Sequence, residues 1–351
     1  MIKTKIIIIF ILSLIISNSK LYSQTISYPD SSVLAHGNWY KISIQSSGVY
    51  KLTYNDFISL GIPKEDIISK NISIYGNGGH KISSNNSLCT FSDLKENSIY
   101  VHDPNNNFSQ GGFVLFYAEG GTEWEYDKSN REWDFFIHPY SDEYYYYVTF
   151  NDSIGEKKRI GSLSTQTLTA DTIINSSRDY FLSKQEITNI NHSGRRWVGK
   201  QFGLNKTEEF PLDLRNALVD GNNNLVTPAM LEYRLISKSD APANFNTNYN
   251  NQIFDTIVML SDGGVRERVI KTNLNNIKLA SNKLSIKYNG GSLSSGWLDY
   301  ILVHYDKKLS YSFPSVLRYK TTECLNENKV VNNLISNVKL LNQLKLINLL
   351  M

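Results

Sequence analysis

Several groups of residues in this chain have types and spacings that suggest chemistry. Carboxylates gather in AEGGTEWEYD as Glu119, Glu123, Glu125 and Asp127. A glycosidase sets two carboxyl groups about 5–10 Å apart across a sugar cleft. On a strand, Glu123 and Glu125 share one face and Trp124 takes the other, which also describes a solvated strand with its aromatic turned inward. Trp124 and Trp133 make glycan binding a second use of the same stretch. The six histidines, His36, His80, His102, His138, His192 and His304, never stand four apart, and neither CxxC nor HExxH occurs, so no zinc site is read. Two runs, DPNNNF from Asp103 and DGNNNL from Asp220, begin like calcium loops. Both lack glycine at the sixth place and glutamate at the twelfth, and they read as Asn-rich turns.

Nucleophiles fare no better. A reactive cysteine needs a base and an orienting group beside it. Cys89, in SLCTF, and Cys324 have no such motif around them, and GxSxG is absent. The Gly-rich YGNGGH (75–80) lacks the Gly-Lys-Ser/Thr of a phosphate loop and reads as a place for positive φ after a strand. The expectation is a chain with no catalytic residue, no metal site and no cofactor.

The remaining candidate is NHSGRRWVGKQF (191–202). In an extended segment Arg195 and Arg196 point to opposite faces, where one stacks on an aromatic ring or grips a carboxylate. Gly194 and Gly199 permit sharp turns. An anion site would use the N-terminus of a helix, yet the helix expected here, SSRDYFLSKQEI (176–187), lies upstream and points away. Arg195, Arg196, Trp197, Gly194 and Gly199 are therefore read as a structural joint, with Trp197 buried as a plug and an arginine holding a neighbouring carboxylate.

The elements that must position these residues are mostly strands. Tyr (22) outnumbers Phe (15), and Asn, Ser and Gly separate short apolar runs, a mixture that favours strands and turns. NWYKISI and VYKLTY alternate with period two around QSSG and predict a hairpin. TYNDFISLGIP predicts a short helix capped by Thr53, with Phe57, Ile58 and Leu60 facing the core and Gly61 and Pro63 ending it. Strands come next at 72–76, 98–102, 113–118 and 144–150. FVLFYAEGGTEWEYD predicts a second hairpin turning at Gly120–Gly121. Beyond the polar run 151–166, EEFPLDL, MLEYRLI, QIFDTIVML, RERVIK, KLSIKY and LDYILVHYD alternate between Asn- and Gly-rich loops, as in a β-sandwich. The fold class expected is mainly β: two β-sandwich-like domains with a few short helices.

The ends of the chain differ. Lys3 and Lys5 precede the apolar run Ile6–Ile16, too short to span a bilayer and suited to a secretory signal peptide cleaved near Ser23–Gln24, with an uncleaved anchor as the alternative. The expected organisation is a signal peptide at 1–23, a β-rich domain at 24–160, a second sandwich at 161–320 and a tail at 321–351. The mature chain is expected to be exported, with no transmembrane helix. The tail has no aromatic residue and no glycine. Val331, Leu334, Val338, Leu341 and Lys345 have helical spacing, so the tail reads either as an amphipathic helix or as sequence beyond a truncation or frameshift. A net charge of +3 on 36 basic and 33 acidic residues gives no pull toward nucleic acid.

SGRRWVGKQF resembles the SGRxWxGExF signature in the N-terminal region of PorU-type sortases of the type IX secretion system, relatives of the gingipain-like cysteine peptidases of Bacteroidetes. GNWYKISIQSSGVYKLTYNDFISLGI, ISIYGNGG, FVLFYAEGGTEWEYD and GWLDYILVHYDKKL agree in order, and the resemblance covers about residues 33–312. Lys200 departs from it by standing where the pattern is acidic. The resemblance implies a non-catalytic, β-rich scaffold or docking region preceding a caspase-like domain that holds the catalytic cysteine and histidine. No residue here matches that pair. It further implies outer-membrane components of the secretion system and cargo proteins as partners, a periplasmic or cell-surface location, and a parent protein that removes the C-terminal signal of cargo and attaches cargo at the surface. A free-standing adhesin or carbohydrate-binding sandwich is the alternative reading.

Overall fold

The computed structural model describes residues 29–311, apart from 84, 86, 87, 89, 90, 105–107, 152–156, 162–171, 191, 193, 195, 222, 223, 275, 276 and 278–280, together with 329–331 and 334–335. The architecture is mainly β, built from antiparallel sheets with one short α-helix and three single-turn 3-10 helices among the described residues. The chain divides into two compact units. One comprises residues 1–123 and 141–162, the other 124–140 and 163–351.

In the first unit β1 (Tyr40–Ile44) and β2 (Gly48–Thr53) succeed one another without pairing, which corrects the predicted hairpin. The link between them is pinned from outside: Tyr50 donates to the Ser46 carbonyl at 2.7 Å, and the Gly120 N–H donates to Ser47 Oγ at 2.9 Å. Helix α1 (Tyr54–Ser59) forms as the sequence predicts. Thr53 and Asp56 make a reciprocal capping box, Phe57 is fully buried, and Gly61 leaves the helix at φ +81°. Then come β3 (Ser73–Tyr75), β4 (Glu96–Asn97), β5 (Ile99–His102) and β6 (Phe113–Ala118).

The second predicted hairpin is corrected in the same way. After β6, Gly120 and Gly121 carry the chain into β7 (Thr122–Asp127), which pairs with β8 (Glu132–Ile137) and not with β6. The glycines serve close approach. A Cβ on Gly120 would lie 2.8 Å from the Ser46 Cα, and one on Gly121 would collide with the Tyr144 ring. Strand β9 (Tyr144–Thr149) returns to the first unit, whose sheets run β1-β9-β3-β4 and β2-β6-β5. Ile44, Phe57, Ile74, Ile99, Val114, Phe116, Tyr146 and Val148 fill its core.

The second unit begins, apart from the hairpin, with β10 (Thr172–Ile174) and β11 (Ser176–Lys184). Residues 176–184 are therefore a strand, correcting the predicted helix. All nine pair with one long strand, and that ladder outweighs the helix-favouring Arg, Leu, Lys and Gln of this stretch. Strands β12 (Thr207–Leu212), β13 (Ala229–Lys238), β14 (Ala243–Tyr249), β15 (Gln252–Met259), β16 (Val265–Leu274), β17 (Asn282–Asn289) and β18 (Ser295–Lys308) complete two sheets, β11-β18-β13-β16 and β12-β17-β14-β15. Their core holds Leu231, Tyr233, Leu235, Phe245, Leu284, Ile286, Tyr288, Ile301 and Val303. Burial pushes the Tyr233 hydroxyl up to about 12.

After β19 (Ser310–Tyr311), the described parts of the tail are extended. Strands β20 (Lys329–Val331) and β21 (Leu334–Ile335) pair in parallel with β10 and β19. The helical alternative therefore fails at Val331 and Leu334. The rest of the tail and the segment read as a signal peptide lie outside the described residues. Among the described residues no helix is long and apolar enough to cross a membrane.

Candidate functional site

The segment between β11 and β12 is organised by its backbone. Ile187 and Thr188 donate to the Val198 carbonyl at 2.8 and 2.9 Å, and Val198 donates back to the Thr188 carbonyl at 2.9 Å, closing a loop over 188–198. Gly194, on that loop, has φ +68°. The chain then runs along the beginning of β18. Gly199 donates to the Leu298 carbonyl at 3.0 Å, Gln201 bridges to Trp297, and Phe202 donates to the Gly296 carbonyl at 2.8 Å. A Cβ at position 199 would sit 2.7 Å from the Leu298 oxygen, so only glycine fits this approach. Val198 and Phe202 are buried and anchor the segment.

The side chains singled out in the sequence part company here. Arg196 pairs with Glu267 on β16. Both partners are exposed, and such pairs stabilise little. Arg195 lies outside the described residues. Trp197 is only half-buried, and it is its carbonyl that is engaged, accepting from Lys184 Nζ at 2.9 Å. The buried indole in this neighbourhood is Trp297, packed with Val198 and Ile236.

Beside the segment lies a charge network that the sequence did not reveal. The register of β13 against β18 shifts between Arg234 and Leu235, so that Leu298 and Tyr300 are paired while Asp299 is the extra residue of a bulge. Asp299 is buried, and it accepts from Lys184 Nζ at 2.8 Å and Arg234 Nη1 at 3.2 Å. Tyr300 donates to Glu232 at 2.5 Å, and Lys271 contacts Glu232 at 2.8 Å and Glu132 at 3.3 Å. Burial and the bond to Glu232 push the Tyr300 hydroxyl up. Lys271 is pulled down by burial but held above its ordinary value overall by Glu232 and Glu132. Asp306 accepts from Arg178 at 3.3 Å, from Arg131 at 3.4 Å and from Thr227 at 2.7 Å. Each carboxylate of this network contacts a cation, Lys271 being shared by Glu232 and Glu132.

The tryptophans considered for glycans belong to the β7–β8 hairpin. Trp124 stacks on Tyr180 with centroids 3.5 Å apart and planes at 21°. Trp133 sits 4.9 Å from Tyr126 and edge-on to Tyr180 at 5.7 Å. Two of the clustered carboxylates are held in turn: Glu119 and Glu123 flank His80 at 3.3 and 3.7 Å. In YGNGGH, a Cβ on Gly76 would strike Tyr146 and one on Gly79 would strike the Gly120 backbone, so this loop is a packing contact. In DGNNNL, Asp220 and Asn224 close a turn through paired hydrogen bonds. Cys89 lies outside the described residues, as does Cys324. Among the described residues no three His, Cys, Asp or Glu gather as metal ligands.

A groove of about 910 Å³ opens at the lateral edge of the second sandwich, between β11 and β12, floored by Phe181, Pro211 and Leu212. Its charged rim is internally paired, Arg215 with Asp213 at 2.7 Å and Lys283 with Glu209 at 2.6 Å. The fold defines a mainly β protein with β-sandwich-like domains.

No protein-family model and no curated protein matches the chain. Among solved structures, the chain is similar to dimeric latent PorU from Porphyromonas gingivalis, with a TM-score of 0.62 and 21 % identity over 83 % of this chain and 26 % of that one. The chain thus has a PorU-like fold and spans about a quarter of that protein's length. Smaller overlays involve two carbohydrate-binding modules. The CBM36-1 domain of a multidomain xylanase from the hindgut metagenome of Trinervitermes trinervoides gives a TM-score of 0.24 and 14 % identity over 37 % of this chain and 96 % of that one. A CBM36 module in complex with calcium and xylotriose gives 0.23 and 8 % over 36 % and 98 %. Scores this low establish no shared fold.

Proposed function

We propose that the chain is a non-catalytic β platform of a type IX secretion sortase, an exported scaffold or docking region acting at the outer membrane with other secretion components and cargo. The observation that carries this reading is the likeness to latent PorU over 83 % of the chain. It is supported by the ordered segments from GNWYKISI to GWLDYILVHYDKKL. In this reading the segment around Gly194, Arg195, Arg196, Trp197 and Gly199 is a structural joint that lays the chain along β18. Processing of the cargo C-terminal signal belongs to the catalytic domain of the sortase. The glycan-binding alternative is disfavoured by Trp124, whose ring is already stacked on Tyr180.

A chimera tests the proposal. The segment of Porphyromonas gingivalis PorU that overlays this chain is replaced by it, and cargo processing and surface attachment are monitored in cells. Retention of both supports the platform role. A stable, correctly exported chimera that does neither refutes it, as does peptide turnover by this chain alone.

A further inference from the structure

The outer face of β18 carries a histidine that the proposed platform role does not use. His304 is 1 % exposed. Its Nε2 lies 3.0 Å from the Trp133 N–H and 2.9 Å from the Trp133 carbonyl, both on β8, and its Nδ1 is buried without a hydrogen-bond partner. The neutral ring serves one of those two backbone contacts according to its tautomer. The imidazolium still donates from Nε2 to the Trp133 carbonyl but cannot accept the Trp133 N–H, and at Nδ1 it places a second N–H donor, with charge, where no acceptor stands.

We propose that the β7–β8 hairpin is an acid-released strap, held on the outer face of the second sandwich while His304 is neutral and freed from it when that ring takes a proton. The groups facing the ring come from every packed element: Arg131 and Glu132 on the hairpin, Arg178 and Tyr180 on β11, Glu232 on β13, Lys271 on β16, and Asp306 on its own strand. The Trp133 carbonyl favours the cation, as do Glu132 and Glu232, the two carboxylates being already engaged by Lys271. Arg178 opposes it, and burial disfavours it most, so the ring's pKa stands below the ordinary value. The hairpin is also fastened by Asp306 with Arg131, by Glu132 with Lys271, by Arg178 donating to the Arg131 carbonyl and by Trp124 stacked on Tyr180. Among these side chains the imidazole is the one whose ordinary value lies nearest neutrality.

The sign comes from linkage. A histidine whose pKa is depressed when latched binds its proton more readily once released. Latching is then at full strength above the ordinary histidine value, about 6.5, and weakens as pH falls below it toward the depressed value. If the latched ring stays neutral, the ceiling at pH 5 is about thirty-fold.

Hydrogen exchange on the full chain tests this, with rates corrected for the pH dependence of intrinsic exchange. Between about pH 7.5 and pH 5, protection across 122–137 should fall by about three- to thirty-fold while protection across 229–238 in β13 holds. Unchanged hairpin protection, or parallel loss in β13, overturns the proposal. His304→Gln should flatten the response of the hairpin, and a variant that keeps the wild-type response also overturns it. Should that variant fail to fold, the comparison within the wild-type protein decides alone.

Discussion

Two tryptophans one hundred positions apart separate a plug from a carbonyl. Trp297 is 5 % exposed and packs with Val198 and Ile236, whereas Trp197 is half-buried and contributes its main-chain oxygen to Lys184. A tryptophan buries on the order of 200 Å². At about 25 cal/mol per Å² that is about 5 kcal/mol of transfer free energy, an upper value because the unfolded chain is not fully extended. Truncating Trp297 to alanine should therefore cost about 3–5 kcal/mol, since β18 is central in its sheet and collapses poorly around a hole. Trp197→Ala removes about half that area at a site open to water, and should cost about 1–2 kcal/mol while leaving the carbonyl in place. Urea titrations monitored by far-UV circular dichroism give both values without relying on the fluorescence of the deleted ring. A loss for W197A equal to that for W297A would refute the assignment of the plug and restore the reading of the sequence alone.

Gly199→Ala should cost about 1–3 kcal/mol in the same titration, because its Cβ would meet the Leu298 carbonyl, which is strand backbone that cannot step aside. Asp306→Ala strands Arg178 beneath the hairpin and should cost about 3–5 kcal/mol, with Asp306→Asn milder because the Thr227 hydroxyl keeps its acceptor. Asp56 is held below the usual carboxylate range by hydrogen bonds from the Thr53 side chain and backbone. The cap's contribution is therefore present above about pH 4 and lost as pH falls through the depressed value. Asp56→Asn should flatten that part of the acid-denaturation curve, and an unchanged curve would mean the box contributes nothing. Trp124→Ala should weaken packing of the hairpin on Tyr180 and leave glycan-array signals at background for both proteins. Glycan binding by the wild type that disappears in W124A would favour the alternative function.

Strands announced themselves wherever alternation sat on apolar residues, and α1 announced itself through Thr53, Phe57 and Gly61. Pairing did not. β1 and β2 look like arms of a hairpin because local spacing cannot reveal that their partners, β9 and β6, lie far along the chain. Strand β14 passed as a loop because its outward positions are Asn244, Asn246 and Asn248, while Ala243, Phe245, Thr247 and Tyr249 carry the buried face. β11 passed as a helix because an edge strand with half-buried residues on both faces shows little period-two contrast. At the candidate site the glycines were legible as backbone requirements, whereas Val198, the buried anchor, was not. Lys184, Arg234, Asp299 and Asp306 were not, since a buried ion pair between distant strands leaves no local mark. A charged residue inside an apolar run, such as Asp299 in GWLDYILVHYD, was the available hint.

The segments that resemble the sortase pattern turn out to touch one another. SGRRWVGKQF lies along GWLDYILVHYDKKL through Gly199 to Leu298, Gln201 to Trp297 and Phe202 to Gly296. Within the first unit, Gly79 of ISIYGNGG packs on Gly120 of FVLFYAEGG, and Gly120 in turn bonds Ser47 in the QSSG link. In each case the shared feature is a glycine where two backbones approach too closely for a side chain, flanked by residues that bury beside it. Positions of that kind tolerate little substitution whatever a protein does, because a single Cβ forces strand backbone apart. A motif made of such positions reports how chains are laid against each other and is silent about bond-breaking. The glycine contacts of these segments therefore account for how the strands are laid together and carry no information about a nucleophile.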